Sequence, residues 1–287
     1  MTEGKIRAYE TTIEIDAPPD VVWRALTDPT ELTRWFPLQA SVAPGVDGSV
    51  LYSWGGAWEW KNRIRFWEPG RRLQLVNAQS AAYDAEGKPL PSAGPPVEVA
   101  LDYQLEARGV RTVLRLVHSG FGTGAEWDDE VEGISNGWPF ELRSLKHYLE
   151  RHRARRRSVA WARVNAPTSV VEAWTRLIGR EGLALEGVVA ARREGGPYAV
   201  PSANGDSFEG AVLIVAPPRA FAGTLAPLND GLFRASVERA AGQTSVHLWA
   251  SGWSVEPGAV QALERRMASL LERLFGAPAT IAGASSD

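Results

Sequence analysis

The 287-residue chain contains an internal repeat, and this repeat constrains its fold more than any other feature of the sequence. IDAPPDVVWRAL at 15–26 aligns with VNAPTSVVEAWT at 164–175, and TVLRLVHSGF at 112–121 aligns with TSVHLWASGW at 244–253. The two pairs keep the same order along the chain, and each copy then ends in an amphipathic helical pattern. Self-similarity of this kind predicts two copies of one domain, the second shorter in its middle.

Within the first copy, the residue pattern changes from strand to helix twice. A β-branched strand at 6–16 ends at Ala17-Pro18-Pro19, and two short helices follow, separated by Asp28-Pro29. Turn signals then divide an antiparallel meander, with strands predicted at 49–54, 57–67, 71–78, 97–107 and 111–118. Apolar residues from Trp127 to Leu149 recur at steps of three and four, which predicts a long helix over 125–157.

These elements predict an α+β fold with two domains. The first domain is expected at 1–157 and the shorter, divergent second domain at 158–277. Residues 278–287 are small and polar and are expected to form a flexible tail.

Several stretches of the first copy resemble a known superfamily. They are IDAPPDVVWRALTDPTELTRWFP (15–37), NRIRFWEPGRRLQLV (62–76), LRLVHSGF (114–121), the later GW (137–138) and LRSLKHYLE (142–150). Together they are similar to the START-like, or SRPBCC, superfamily, in the branch of the activator of heat-shock protein 90 ATPase homologues. The resemblance covers about 1–155 and reaches 159–276 only through the repeat, where Ala250 stands in place of His118.

This resemblance implies a helix-grip fold, in which a curved antiparallel sheet surrounds a long C-terminal helix and leaves a cavity between them. Superfamily members bind lipids, polyketides or other apolar compounds. Some are cyclases, and others act through protein contacts. A fold shared by so many activities does not fix the function.

Alternation along the predicted strands sends every second side chain of the first domain toward the long helix. The resulting surface is mostly aromatic and aliphatic, with a few polar tips, as in many small-molecule sites. The same alternation would also describe a filled core. The candidate ligand-binding residues are Trp35, Tyr52, Trp54, Trp58, Trp60, Asn62, Phe66, Leu101, Tyr103, Leu116, His118, Trp138 and Leu142.

Composition argues against several other kinds of site. The chain has no cysteine, and its four histidines are scattered without metal-ligand spacing, so we expect no metal and no cofactor. A net charge of -3 gives no reason to expect nucleic acid or a membrane surface as partner. The polar N-terminus and the absence of an apolar run of ~20 residues predict a cytoplasmic protein.

Three functions remain open at this stage. The first is non-catalytic binding of a hydrophobic small molecule such as a lipid, a polyketide or an aromatic compound. The second is a protein-interaction or regulatory module, similar to a co-chaperone. The third is a cyclase-like or hydrolytic enzyme that uses His118, although no set of catalytic residues is evident. The sequence leaves open the ligand, any binding by the second domain and the oligomeric state.

Overall fold

The computed structural model describes residues 7–55, 59–81, 95–191, 193–201, 207–240 and 242–281. The chain divides into two compact units, Met1–Ala154 and Arg155–Asp287. Each unit contains one antiparallel sheet, two helices after its first strand and a long helix after its meander. The predicted α+β class and duplicated helix-grip fold are therefore confirmed. The division falls slightly before the predicted boundary at 157/158.

The first unit follows the predicted order of elements. They are β1 (Arg7–Ile15), α1 (Pro19–Thr27), α2 (Pro29–Leu32), β2 (Gln39–Ala43), β3 (Ser49–Ser53), β4 (Glu59–Glu68), β5 (Arg72–Gln79), β6 (Val97–Arg108), β7 (Arg111–Phe121) and α3 (Asp128–Arg151). The strands lie in the order β1-β7-β6-β5-β4-β3-β2, so the first strand pairs with the last. The short edge strand β2 was not predicted from the sequence.

The long helix α3 is shorter than predicted at both ends. A 3₁₀ turn occupies Ala125–Trp127, and α3 ends at Arg151 instead of residue 157. The chain turns away there because Ala154 has a left-handed backbone, with φ of 65°. The last arginine of the predicted helix, Arg157, is instead the first residue of the next strand.

The second unit repeats this arrangement with one strand fewer in its meander. Its elements are β8 (Arg157–Ala166), α4 (Val170–Ile178), α5 (Glu186–Ala191), β9 (Pro197–Pro201), β10 (Ser207–Ala216), β11 (Ala220–Leu225), β12 (Gly231–Ala240), β13 (Gln243–Trp253), α6 (Pro257–Phe275) and β14 (Thr280–Ile281). The strand order is β14-β8-β13-β12-β11-β10-β9, so β8 pairs with β13 as β1 pairs with β7.

The predicted tail is partly wrong, because Thr280 and Ile281 pair with Arg163 and Ala162 of β8. Residues 282–287 lie outside the described part of the chain. No helix within the described ranges has both the length and the apolar character needed to cross a bilayer.

One irregularity in β4 changes which side chains face α3. The pairing of β4 with β5 skips Arg65, which is a β-bulge. A bulge reverses the alternation of the residues that follow it. Phe66 is therefore 38% exposed, with the Arg72 guanidinium 4.3 Å from its ring centroid. The next residue, Trp67, instead packs edge-on against Trp23 of α1. The predicted inward orientation of Phe66 is wrong for this reason.

Candidate functional site

Aromatic rings from the sheet, from α3 and from the segment after α2 meet in the first unit. This set, termed the aromatic cluster, comprises Trp35, Phe36, Tyr52, Trp54, Trp60, Tyr103, His118, Phe121 and Trp138. Phe36 lies at its centre, with its ring centroid 5.0 to 6.2 Å from those of five other members. These separations correspond to direct ring contact.

Trp35 is held in place by hydrogen bonds to α1 and α3. Trp35 Nε1 donates to the carbonyl oxygen of Ala25 in α1 at 2.8 Å. Ser144 of α3 donates its hydroxyl to the carbonyl oxygen of Trp35, also at 2.8 Å. Trp35 then stacks on Phe36 with an angle of 17° between the rings. The position of the cluster centre is thus fixed by α1 and α3 together.

Most of the predicted site residues are brought together. Trp35, Tyr52, Tyr103 and Leu116 are fully buried, and Leu101, His118, Trp138 and Leu142 are nearly so. The register places Leu101 beside His118 and Leu116 beside Tyr103, while Leu142 follows Trp138 by one turn of α3. Trp54 and Trp60 are only half-buried. Trp58 lies outside the described residues, and Phe66 is turned away by the bulge.

Two members of the cluster, Phe36 and Phe121, were not predicted. Phe121 follows His118 by three residues, so strict alternation would put the two rings on opposite faces of β7. The pairing of β7 with β1 skips Gly120, whose φ is 100°, and this bulge brings both rings to the same side. Their ring centroids are 4.9 Å apart. The glycine within the HSGF stretch was the signal that could have identified the bulge.

The polar groups of the cluster differ in whether they have hydrogen-bond partners. The side-chain amide of Asn62 donates to the carbonyl oxygens of Val50 and Trp60, each at 3.1 Å. Its hydrogen-bond partners are therefore backbone groups of the strands. The hydroxyls of Tyr52 and Tyr103 interact electrostatically with each other. Among the described residues, neither hydroxyl has a hydrogen-bond partner in ordinary geometry. Burial raises the pKa of both tyrosines, so both stay protonated.

His118 is paired with Trp138 across the sheet–helix interface. The indole Nε1 of Trp138 donates to Nδ1 of His118 at 3.1 Å, and both side chains are buried. Burial lowers the pKa of His118 from 6.5 to about 3, because a charged ring would lose its hydration. A general base near neutral pH needs a pKa near neutral and an available lone pair. This geometry therefore gives no support to the acid–base role of His118.

The aromatic cluster differs from the clefts on the surface of the protein. Two open clefts lie on the second unit, one of about 420 Å³ beside Asn165 and Arg239 and one of about 650 Å³ beside Arg176 and Arg273. Neither cleft contains a residue of the aromatic cluster. The cavity expected between the sheet and α3 therefore remains a prediction.

Comparisons with known proteins found one family model that matches the first unit. The family model described as "Activator of Hsp90 ATPase homolog 1-like protein" matches residues 16–150. A search of curated proteins found no match.

Solved structures are similar to this chain at low sequence identity. Protein MLL2253 from Mesorhizobium loti is 24% identical, with a TM-score of 0.42, over 51% of this chain and 99% of that one. The Aha1 protein from Colwellia psychrerythraea, solved as a dimer, is 21% identical, with a TM-score of 0.40, over 52% and 99%. DynU16, from the dynemicin biosynthetic locus, is 18% identical, with a TM-score of 0.41, over 94% and 96%.

Proposed function

We propose that the first unit binds a hydrophobic small molecule, because residues 16–150 match the family model described as "Activator of Hsp90 ATPase homolog 1-like protein". The site is the aromatic cluster, and the role is non-catalytic. The observation that carries the proposal is the pair of buried hydroxyls, Tyr52 and Tyr103, which lack well-placed partners among the described residues.

The burial of these two hydroxyls has an energetic cost. A buried polar group without a hydrogen bond destabilises a protein by about 1–3 kcal/mol. A mutual bond between Tyr52 and Tyr103 would use one hydroxyl hydrogen and leave the other without an acceptor. A molecule that is mostly apolar but carries one polar group would satisfy that hydrogen while its apolar part contacts the surrounding rings. Small-molecule sites commonly combine an aromatic lining with a few polar groups in this way.

Trp54 and Trp60 provide the route into the cluster. They are half-buried, whereas Trp35, Tyr52 and Tyr103 are fully buried. Their rings meet edge to face, with centroids 5.3 Å apart, at the facing ends of β3 and β4. Trp60 also lies 6.1 Å from His118, measured between ring centroids. We infer that an apolar guest enters by displacing these two indoles, because they are the partly exposed tryptophans of the cluster.

Binding of 2-ethylnaphthalene to the full chain tests the proposal, with isothermal titration calorimetry as the measurement. We expect Trp60→Ala to raise the dissociation constant at least tenfold, because it removes a large aromatic contact surface; a tenfold change is about 1.4 kcal/mol. Trp161→Ala is the matched control, because Trp161 is also a half-buried strand tryptophan but belongs to β8 of the second unit.

Two results would contradict the proposal. One is that the wild-type chain binds neither 2-ethylnaphthalene nor its acetyl analogue, 2-acetylnaphthalene. The other is equal weakening by Trp60→Ala and Trp161→Ala, which would indicate non-specific adsorption to exposed indoles. Either result would favour the alternative of a protein-interaction module.

A further inference from the structure

The chemistry of the His118–Trp138 hydrogen bond fixes the state of the histidine ring. An indole nitrogen can donate a hydrogen bond but cannot accept one. Because Trp138 Nε1 lies 3.1 Å from Nδ1 of His118, Nδ1 must be the acceptor and must carry no proton. The proton of the neutral ring is therefore on Nε2.

The Nε2–H group of His118 is a hydrogen-bond donor on a nearly buried ring. Within the described part of the chain, the bond from Trp138 is the one hydrogen bond that the His118 side chain makes, so Nε2–H donates to no described residue. The ring is 2% exposed, and it meets the rings of Phe121, Trp60 and Trp138. These aromatic neighbours offer no strong acceptor.

The hydroxyl of Tyr103 adds a second polar group near the same indole. Tyr103 and His118 each lie 6.1 Å from Trp138, measured between ring centroids, and each meets it edge to face. Tyr103 and His118 also come from adjacent strands, since β6 pairs with β7. The polar groups around Trp138 thus include hydroxyl and N–H donors, and none of the cluster members carries a charge.

From this geometry we propose that the site selects neutral ligands that carry a hydrogen-bond acceptor, such as the carbonyl oxygen of an aromatic ketone or quinone, and that His118 Nε2–H is the selecting donor. The inference rests on the proposed function, because it concerns the ligand of the same aromatic cluster. A cationic ligand is disfavoured by the donor, and a plain hydrocarbon leaves it unsatisfied. His118 is thus a specificity-determining residue that acts in binding.

A matched pair of ligands isolates the effect of the hydrogen-bond acceptor on affinity. 2-Acetylnaphthalene and 2-ethylnaphthalene have nearly the same shape and differ in a carbonyl oxygen. We expect the wild-type chain to bind the acetyl compound about tenfold more tightly than the ethyl compound. In His118→Asn we expect the ratio of the two affinities to fall to about one. Asparagine keeps an acceptor oxygen near the position of Nδ1 for Trp138 and removes the Nε2 donor. Affinity for 2-ethylnaphthalene should therefore change little.

A second measurement does not depend on the folding of the variant. In the wild-type chain, ¹⁵N NMR of the histidine side chains should show a downfield change of the His118 Nε2 resonance on binding of 2-acetylnaphthalene and little change with 2-ethylnaphthalene.

The outcomes separate the two proposals. If 2-ethylnaphthalene binds and the acetyl compound gains nothing, the inference about His118 is overturned while the proposed function stands. If the preference persists in His118→Asn, another group is the donor and the inference is again overturned. If neither compound binds to the wild-type chain, both the proposed function and the inference fail.

Discussion

Replacement of Gly120 by alanine is expected to lower the free energy of unfolding by about 3 kcal/mol or more. Two effects add at this position. The backbone has a φ of 100°, which residues with a side chain rarely adopt. A Cβ atom would also lie 2.4 Å from the carbonyl oxygen of Glu98 in β6, and this oxygen belongs to the rigid backbone. The bulge that places His118 and Phe121 on one face would have to rearrange.

Gly109→Ala is the matched control for this substitution. Gly109 also has a positive φ, of 65°, but a Cβ atom there meets nothing within 4 Å. The Gly109→Ala substitution should therefore destabilise the protein by only about 1 kcal/mol, from backbone strain alone. Urea denaturation, combined with hydrogen exchange of peptides from β6 and β7, measures both changes. Equal losses of stability in the two variants would contradict the role assigned to the bulge.

Acidification from pH 7.5 to pH 5 is expected to destabilise the wild-type chain by about 2 kcal/mol more than His118→Asn. The pKa of His118 is about 3 in the folded protein and 6.5 when unperturbed. Between these values the unfolded chain binds a proton that the folded chain does not bind, so stability falls as the pH decreases below about 6.5. One pKa unit corresponds to about 1.36 kcal/mol, and the loss would be complete near pH 3.

Comparison of the wild type with His118→Asn removes the contributions that other titrating groups make to the pH dependence of stability. His247 also has a pKa lowered by burial, to about 4, but it is present in both proteins and its effect cancels. Unfolding free energies from urea denaturation at several pH values provide the measurement. Parallel pH profiles for wild type and His118→Asn would show that His118 titrates normally, which would contradict its burial as a neutral donor.

Strict alternation let the sequence predict much of the site. In β3 and β7 the candidate residues are buried as expected, with Tyr52 in one strand and Leu116 and His118 in the other. The internal repeat also predicted that the chain contains two copies of one domain. These features depend on local patterns that continue without interruption, and such patterns are the strongest signal in a single sequence.

The errors arose where the pattern is interrupted. The bulge at Arg65 reverses Phe66 and Trp67, and the bulge at Gly120 brings Phe121 to the inner face. A bulge depends on how one strand pairs with its neighbours, so alternation within that strand cannot reveal it. The hydrogen bond between His118 and Trp138 joins a strand to a helix and likewise depends on tertiary packing.

The position of a bound ligand shows directly whether the aromatic cluster is the binding site. The measurement is an isotope-filtered nuclear Overhauser experiment on the full chain with ¹³C-labelled tryptophan and bound 2-acetylnaphthalene. We expect contacts between the naphthyl protons and the indoles of Trp54, Trp60 and Trp138. Contacts confined to tryptophans of the second unit, such as Trp161 and Trp249, would contradict a binding site in the aromatic cluster.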